Sequence, residues 1–334
     1  MALERVSASA TQSLAFRILN SGLTMEEIRA ASPLEENAQR IIDQAVVDVG
    51  VERLVIAQDI ISAGLTYSLP DPLSVMEVQW ERTSKTGGAQ RTMNPSARGE
   101  FQLPDRSIRR IPIYLTTDDF SIGIRTLKAS QRVGAPLDTT LVQQATRRVN
   151  EAIEDATING AGVQVEGYTT PGLLNAPNAV TFSLSVDWTA PNVIGTTGSA
   201  MVNDVTKAVG LLQANRRYGP YMVYYGSAAA LNVTGDFKVN TVDTIADRLR
   251  RLSTDLNIRG FKVADQFPGG ATGPQLAVVQ MTSDVVDMIT GQSPTVIPWT
   301  SNDGFTLFWL VMAIMIPRFR DDYDGKSGIA IGIK

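Results

Sequence analysis

Residues 64–115 constrain the fold more than any other stretch, because they contain strands but no core. VMEVQWER, residues 75–82, places Met76, Val78 and Trp80 on one face and Glu77, Gln79 and Glu81 on the other, the alternation of a half-buried strand. SKTGG then turns the chain, a polar stretch with Pro95, Gly99 and Pro104 follows, and RRIPIYL returns with Ile111, Ile113 and Leu115 in alternation. Pro112 has no N–H and favours an edge position. An isolated two-stranded hairpin is marginal in water. Loops longer than about 15 residues are usually functional or disordered. The segment therefore needs support from outside itself. It either lies on a partner or folds back on its own chain, and Trp80 with its flanking strands favours a partner.

The second constraint is PLDTTLVQQATRRVNEAIEDATINGAG, residues 136–162, which reads as one long helix. Asp138 can cap its first turn, and Asn159-Gly160 supplies a left-handed stop. Leu141, Ala145, Val149, Ala152 and Ala156 recur at helical spacing as the expected buried stripe. At 1.5 Å per residue such a helix spans about 30 Å, the width of a small domain. Its Glu154-Asp155 pair, like Asp118-Asp119 upstream, reads as a solvated or salt-bridged face.

The rest of the chain is mixed. Thr24 with Glu27, and Ser32 with Glu35, have capping-box spacing, and Leu34, Ala38, Ile41, Ala45 and Val49 follow as a helix in an N-terminal arm. Beyond Gly160, strands are expected at FSLSVDW, YMVYYG, RGFKVADQF and QLAVVQM, with helices at NDVTKAVGLLQANRR, SAAALN and TVDTIADRLRRLS. FTLFWLVMAIMIP, residues 305–317, is too short for a membrane span of about 20 residues and reads as a strand buried on both faces. No secretory signal is expected at the N-terminus.

The chemistry available is limited. The 334 residues include no Cys and no His, which excludes Ser-His-Asp and Cys-His catalysis and Cys- or His-based metal sites. A net charge of −4 argues against a dedicated nucleic-acid binder. GAGVQVEG, residues 160–167, closes a helix where a dinucleotide fingerprint would open one. RDDYDGKSGIAI puts Gly325 at the sixth position of a calcium loop, but Arg320 and Ile331 occupy the first and twelfth, so a solvated acidic turn is expected. No catalytic, cofactor or metal residues are assigned, and no cofactor is expected.

The order of parts, and the run from Ile111 to Asn175 in particular, resembles the major capsid proteins of tailed bacteriophages, whose fold the encapsulin nanocompartments share. In this family a strand leads through a short helix to G-x-P-L-D, a spine helix, an E-D pair, N-G and a Gly-Leu link. Here these stand as GAPLD, the helix, Glu154-Asp155, Asn159-Gly160 and GLLN. The resemblance implies an α+β chain with an N-terminal arm and helix at 1–62 and an extended β-hairpin loop at 63–116. It implies a peripheral domain at 117–165 and 303–334 around the spine helix, and an axial domain at 166–302. It further implies a structural subunit, not an enzyme, that self-assembles into hexamers and pentamers of an icosahedral shell around double-stranded DNA. Such a subunit is made in the host bacterial cytoplasm and resides in the virion. Its partners would be copies of itself, with scaffold, portal and decoration proteins, weak non-specific contact to packaged DNA, and no membrane. Trp80, Arg82, Lys85, Arg109 and Arg110 are the candidate intersubunit contacts. Some members cross-link a Lys of this loop to a neighbour's Asn; Lys85 stands at the hairpin turn, and no partner can be assigned by motif. An encapsulin shell around a cargo enzyme is the alternative. A mixed α/β enzyme or binding module using carboxylates is the alternative of another class.

Overall fold

A computed structural model describes residues 54–85, 91, 93, 103–126, 140–190, 196–237, 243–268, 273–301 and 304–334. The arm helix expected after Ser32, the Asp138 cap and the hairpin tip lie outside these residues.

The long helix is α2 (Thr140–Asn159), preceded in the described chain by the short α1 (Ile56–Ser62). Val142, Ala145, Val149, Ile153 and Ala156 face inward. The stripe is thus rotated from the expected one: Ala152 is exposed and Leu141 only half-buried. The larger side chains decide the rotation, since Ile153 removes more apolar area from water than Ala152 can. Two threonines on this face, Thr146 and Thr157, donate their hydroxyls to the carbonyls of Val142 and Ile153, each at 2.8 Å. They are buried at no cost in unmet hydrogen bonds.

The end of α2 explains why Asn-Gly is followed by Gly-Leu-Leu-Asn. The last four carbonyls of a helix have no partner within it. Here Gly160 N–H donates to Ala156 O at 3.1 Å, Leu173 N–H to Thr157 O at 2.8 Å and Leu174 N–H to Ile158 O at 3.0 Å. Asn175 Nδ2 donates to Asn159 O at 2.8 Å. The approach needs glycine on both sides. Gly160 has φ +89°, and a Cβ on Gly172 would lie 2.2 Å from Gly160 N.

Two sheets carry the chain. The first contains β1 (Thr66–Ser68), β11 (Val286–Thr300), β12 (Thr306–Phe319) and β4 (Thr116–Gly123), in that order. β11 and β12 form one antiparallel ribbon from Val286↔Phe319 to Thr300↔Leu307, its register shifting between Thr290 and Thr295. Helix α2 packs on one face of this sheet, where Val149 and Ile153 meet Met288, Val311, Ala313 and Met315. Trp309 stacks on Phe120 with ring centres 5.3 Å apart.

The second sheet has the order β7 (Val180–Ser183), β13 (Ile329–Ile333), β10 (Pro274–Gln280), β8 (Tyr221–Gly226), β9 (Ile258–Ala264). It is covered by α3 (Thr197–Ala214), α4 (Ser227–Val233) and α5 (Ile245–Asp255). β8 is buried along its whole length, paired on both edges and packed on both faces. Only the start of FSLSVDW is a strand. Leu184–Trp188 leave it as a loop tied to buried Asp204, which accepts from Ser185 N, Ser185 Oγ and Trp188 Nε1.

The sheets cut across the division at residue 303. β11 lies before that boundary yet belongs to the sheet on α2, because it is the ribbon partner of β12. β13 lies after it yet pairs with β10 and β7 in the second sheet.

Candidate assembly interface

The hairpin consists of β2 (Glu77–Thr83) and β3 (Arg106–Pro112), paired Val78↔Ile111, Trp80↔Arg109 and Arg82↔Ser107. Directly opposed residues of an antiparallel pair share a face. At the root of this face Val78 and Ile111 are buried against Leu69, Ile289, Ile314 and Ile316. The hairpin therefore covers the side of the β11–β12 ribbon that α2 leaves open. The second half of β12 is buried on both faces for that reason, as its unbroken apolar run predicts.

Further along, the same face becomes ionic. Arg318 stands opposite Asp287 in the ribbon register. Its Nε donates to Asp287 Oδ1 at 2.8 Å and its Nη2 to Oδ2 at 2.6 Å. The guanidinium lies 4.8 Å from the centre of the Tyr67 ring and 5.4 Å from that of Trp80. Arg320 Nη2 also donates to Asp287 Oδ2, at 2.7 Å. Beyond this, Asp321 accepts from Arg82 Nη1 and from Asn178 Nδ2, both at 2.6 Å, and Arg109 Nη2 is 3.5 Å away. Lys85 pairs with Asp322 and lies 3.7 Å from Asp324. The acidic turn expected to be solvated is thus an anchor. Asp321 is 5% exposed, because the hairpin brings two cations, Arg82 and Arg109, down onto it.

The other face of the hairpin is open. Glu77 pairs with Arg110 at 3.4 Å and Glu81 with Arg106 at 3.3 Å across the strands. Between them Ile108 is 56% exposed, and Met76, Met93 and Leu103 are exposed as well. Arg110 also lies 5.6 Å from the ring of Tyr168, in the small turn formed by β5 (Gln164–Val165) and β6 (Tyr168–Thr169).

Of the five residues singled out from sequence, Trp80, Arg82 and Arg109 turn toward their own chain. Arg110 is on the open face, and Lys85 is at the distal end, half exposed. The root of the hairpin is fastened within the subunit, contrary to the expectation that its support comes from a partner. Sequence reading missed Arg318, Asp287, Asp321 and Asn178. A usable signal existed for Arg318: it falls in phase with Ile314 and Ile316, where a buried side chain is due.

Two more acidic groups proved structural. Asp118 pairs with Arg148 at 3.1 Å. Glu154 is buried, and its carboxylate accepts from the N–H groups of Ile56 at 2.7 Å and Ala57 at 3.2 Å, capping α1 from outside. Burial pushes its pKa up, more than the N–H groups of Ile56, Ala57 and Val55 pull it down, and the nearby Asp59 adds to the rise. Asp59 on α1 accepts from Tyr224 Oη at 3.1 Å and pairs with Lys262. Among the described residues no group of three or more Asp or Glu is placed to hold a metal ion. No described helix is long and apolar enough to cross a membrane.

Residues 68–332 match the model of a family of unknown function, DUF6260. The chain belongs to this family. No curated protein matches it. Among solved structures it is similar to the virus-like particle of Pyrococcus furiosus, with 12% identity and a TM-score of 0.60 over 87% of this chain and 98% of the other. It is similar to the capsid of Myoviridae phage XM1, with 14% identity and a TM-score of 0.58 over 78% and 86%. It is also similar to the capsid of a native GTA particle, with 14% identity and a TM-score of 0.60 over 84% and 91%. This member of the family therefore has the α+β fold of tailed-phage major capsid proteins.

Proposed function

We propose that this protein is the major structural subunit of a tailed-phage capsid. Copies associate into hexamers and pentamers of an icosahedral shell that encloses double-stranded DNA, and no catalysis is involved. The observation that carries this reading is the hairpin on this fold. Its inner face is fixed to the subunit, while its outer face presents Ile108 between two Arg–Glu pairs and its margins expose Met76 and Leu103. In this reading these exposed apolar side chains are covered by a neighbouring copy in the shell. Arg110, on the open face, and Lys85, half exposed beside Asp322, are then the sequence candidates for contact with that neighbour. Trp80, Arg82 and Arg109 support the same contact from behind.

In this reading the sheet on α2 forms the peripheral domain and the five-stranded sheet, β13 included, the axial domain. Contact with packaged DNA is weak and non-specific, in keeping with the net charge of −4. Scaffold, portal and decoration proteins are further partners, and the protein passes from the host bacterial cytoplasm into the virion. A shell around a cargo protein is the second reading, favoured by the match over 98% of the Pyrococcus furiosus particle subunit.

Electron microscopy of the expressed protein tests the proposal. Closed shells or hexamers and pentamers are expected; a small monodisperse species under all conditions overturns it. Nucleic acid inside native particles supports the phage reading, and protein cargo the second.

A further inference from the structure

We propose that Arg318 is a positioning residue: held by Asp287 and packed over the rings of Tyr67 and Trp80, it sets the direction in which the hairpin leaves the subunit. The hairpin is then preset in the free subunit, before copies meet. The consequence for assembly rests on the capsid reading; the clamp itself does not.

The argument begins with leverage. A two-stranded ribbon fixed at one point can swivel about it. Here Val78, Trp80 and Arg82 alternate along one face of β2 and each meets a different partner on the body: the Ile314–Ile316 patch, Arg318 and Asp321. At about 3.3 Å per residue these contacts span roughly 13 Å, enough to define a line rather than a pivot. Arg318 is the middle point, and its side chain is 3% exposed. Salt screens it far less than a surface pair.

Charge balance points the same way. Asp287 already holds Arg320 at 2.7 Å, so Arg318 is not required to neutralise it. Two guanidinium groups share the Asp287 carboxylate, with Asp284 also near Arg320, and the Arg318 guanidinium lies over two aromatic rings. A planar guanidinium can give two parallel hydrogen bonds to a carboxylate while stacking on rings above and below; an ammonium cannot. The arrangement selects Arg at 318 and an aromatic ring at 80.

Hydrogen exchange on the unassembled subunit, with electron microscopy of shells, tests this. In Arg318→Lys, amide exchange across residues 77–83 and 106–112 should rise about tenfold or more while the five-stranded sheet keeps its protection. Shells should be fewer and uneven in diameter. Trp80→Leu should reproduce this effect, and Trp80→Phe, which keeps a ring, should restore most of the protection. If hairpin exchange is unchanged in both Arg318→Lys and Trp80→Leu, the clamp is refuted. Equal loosening of both sheets would make Arg318 a general stability residue and overturn the positioning role. Wild-type-like shells from subunits with a loosened hairpin would overturn it too, leaving the capsid reading intact. Failure of the wild type to form shells would sink the capsid reading, while the exchange data still decide the clamp.

Discussion

The five-stranded sheet and the hairpin are built on opposite plans. The sheet is closed: β8 is buried throughout, Trp188 and Tyr221 are fully enclosed, and the buried carboxylate of Asp204 is met by three donors from one loop. The hairpin is open: one face is bound to the body by an apolar cluster and a chain of ion pairs, and the other is largely exposed, with the β5–β6 turn against Arg110. Stability is thus concentrated in one region and left incomplete in another. A subunit that must fold alone and then associate needs that separation. Damage to the sheet should unfold the protein, whereas damage to the hairpin root should change only what the protein can join.

Asp204→Ala should break the closed region hardest. It strands the backbone N–H and hydroxyl of Ser185 and the indole N–H of Trp188 in a buried site, at a cost of about 4 kcal/mol. Thermal unfolding should fall sharply. A loss below about 1 kcal/mol would mean that this sheet does not dominate stability. Ile314→Ala attacks the seam between the two regions, opening a cavity beneath Val78 and Ile111 for about 3 kcal/mol. Its signature should be early exchange at Val78 and Ile111 with the core of the second sheet still protected. Asp321→Asn is milder, about 1–2 kcal/mol, because an amide oxygen can still accept from Asn178 and Arg82 keeps the Asp322 carbonyl. It should loosen the outer half of the hairpin, near Arg82, and leave the root in place.

Much of this contrast was legible in the chain. The long helix, its Asn-Gly stop and the Gly-Leu-Leu-Asn cover are local signals, and all the hydrogen bonds they imply are made within a few turns of sequence. The apolar run of β12 showed that both its faces are covered, and the thin apolar face of residues 75–82 showed that the hairpin needs support. What periodicity could not supply was that each answers the other. Asp321 and Arg82 are far apart in sequence, and nothing in either segment marks its partner. The rotation of the α2 stripe was hidden for a similar reason: Ala152 and Ile153 both suit a helical apolar face, and the sheet beneath decides between them. Glu154 was misread because it has no basic partner nearby in sequence. Its partners are the backbone N–H groups of a helix almost a hundred residues upstream.

The smallest effect separates the hairpin from the body of the subunit most clearly, because its sign differs between them. Burial raises the Asp322 carboxyl, but the Lys85 hydrogen bond, the Tyr323 N–H and the charges of Lys85 and Arg217 hold it below its ordinary value. Its contribution is therefore present above the usual Asp value of about 3.9 and lost as pH falls through the lower folded value. Glu154 is shifted the other way, raised by burial. What it contributes is complete below the usual Glu value of about 4.3 and declines as pH rises through the higher folded value. As pH rises through the carboxylate titration range, the hairpin's ion pair should tighten while the hold of α2 on α1 relaxes. Exchange measured across that range, corrected for the intrinsic pH dependence, should fall around Arg82–Lys85 and rise at Ile56–Ala57. Both segments moving in the same direction would show that the two carboxylates do not control them separately. Glu154→Gln should flatten the change at α1 and leave the hairpin's response as it was.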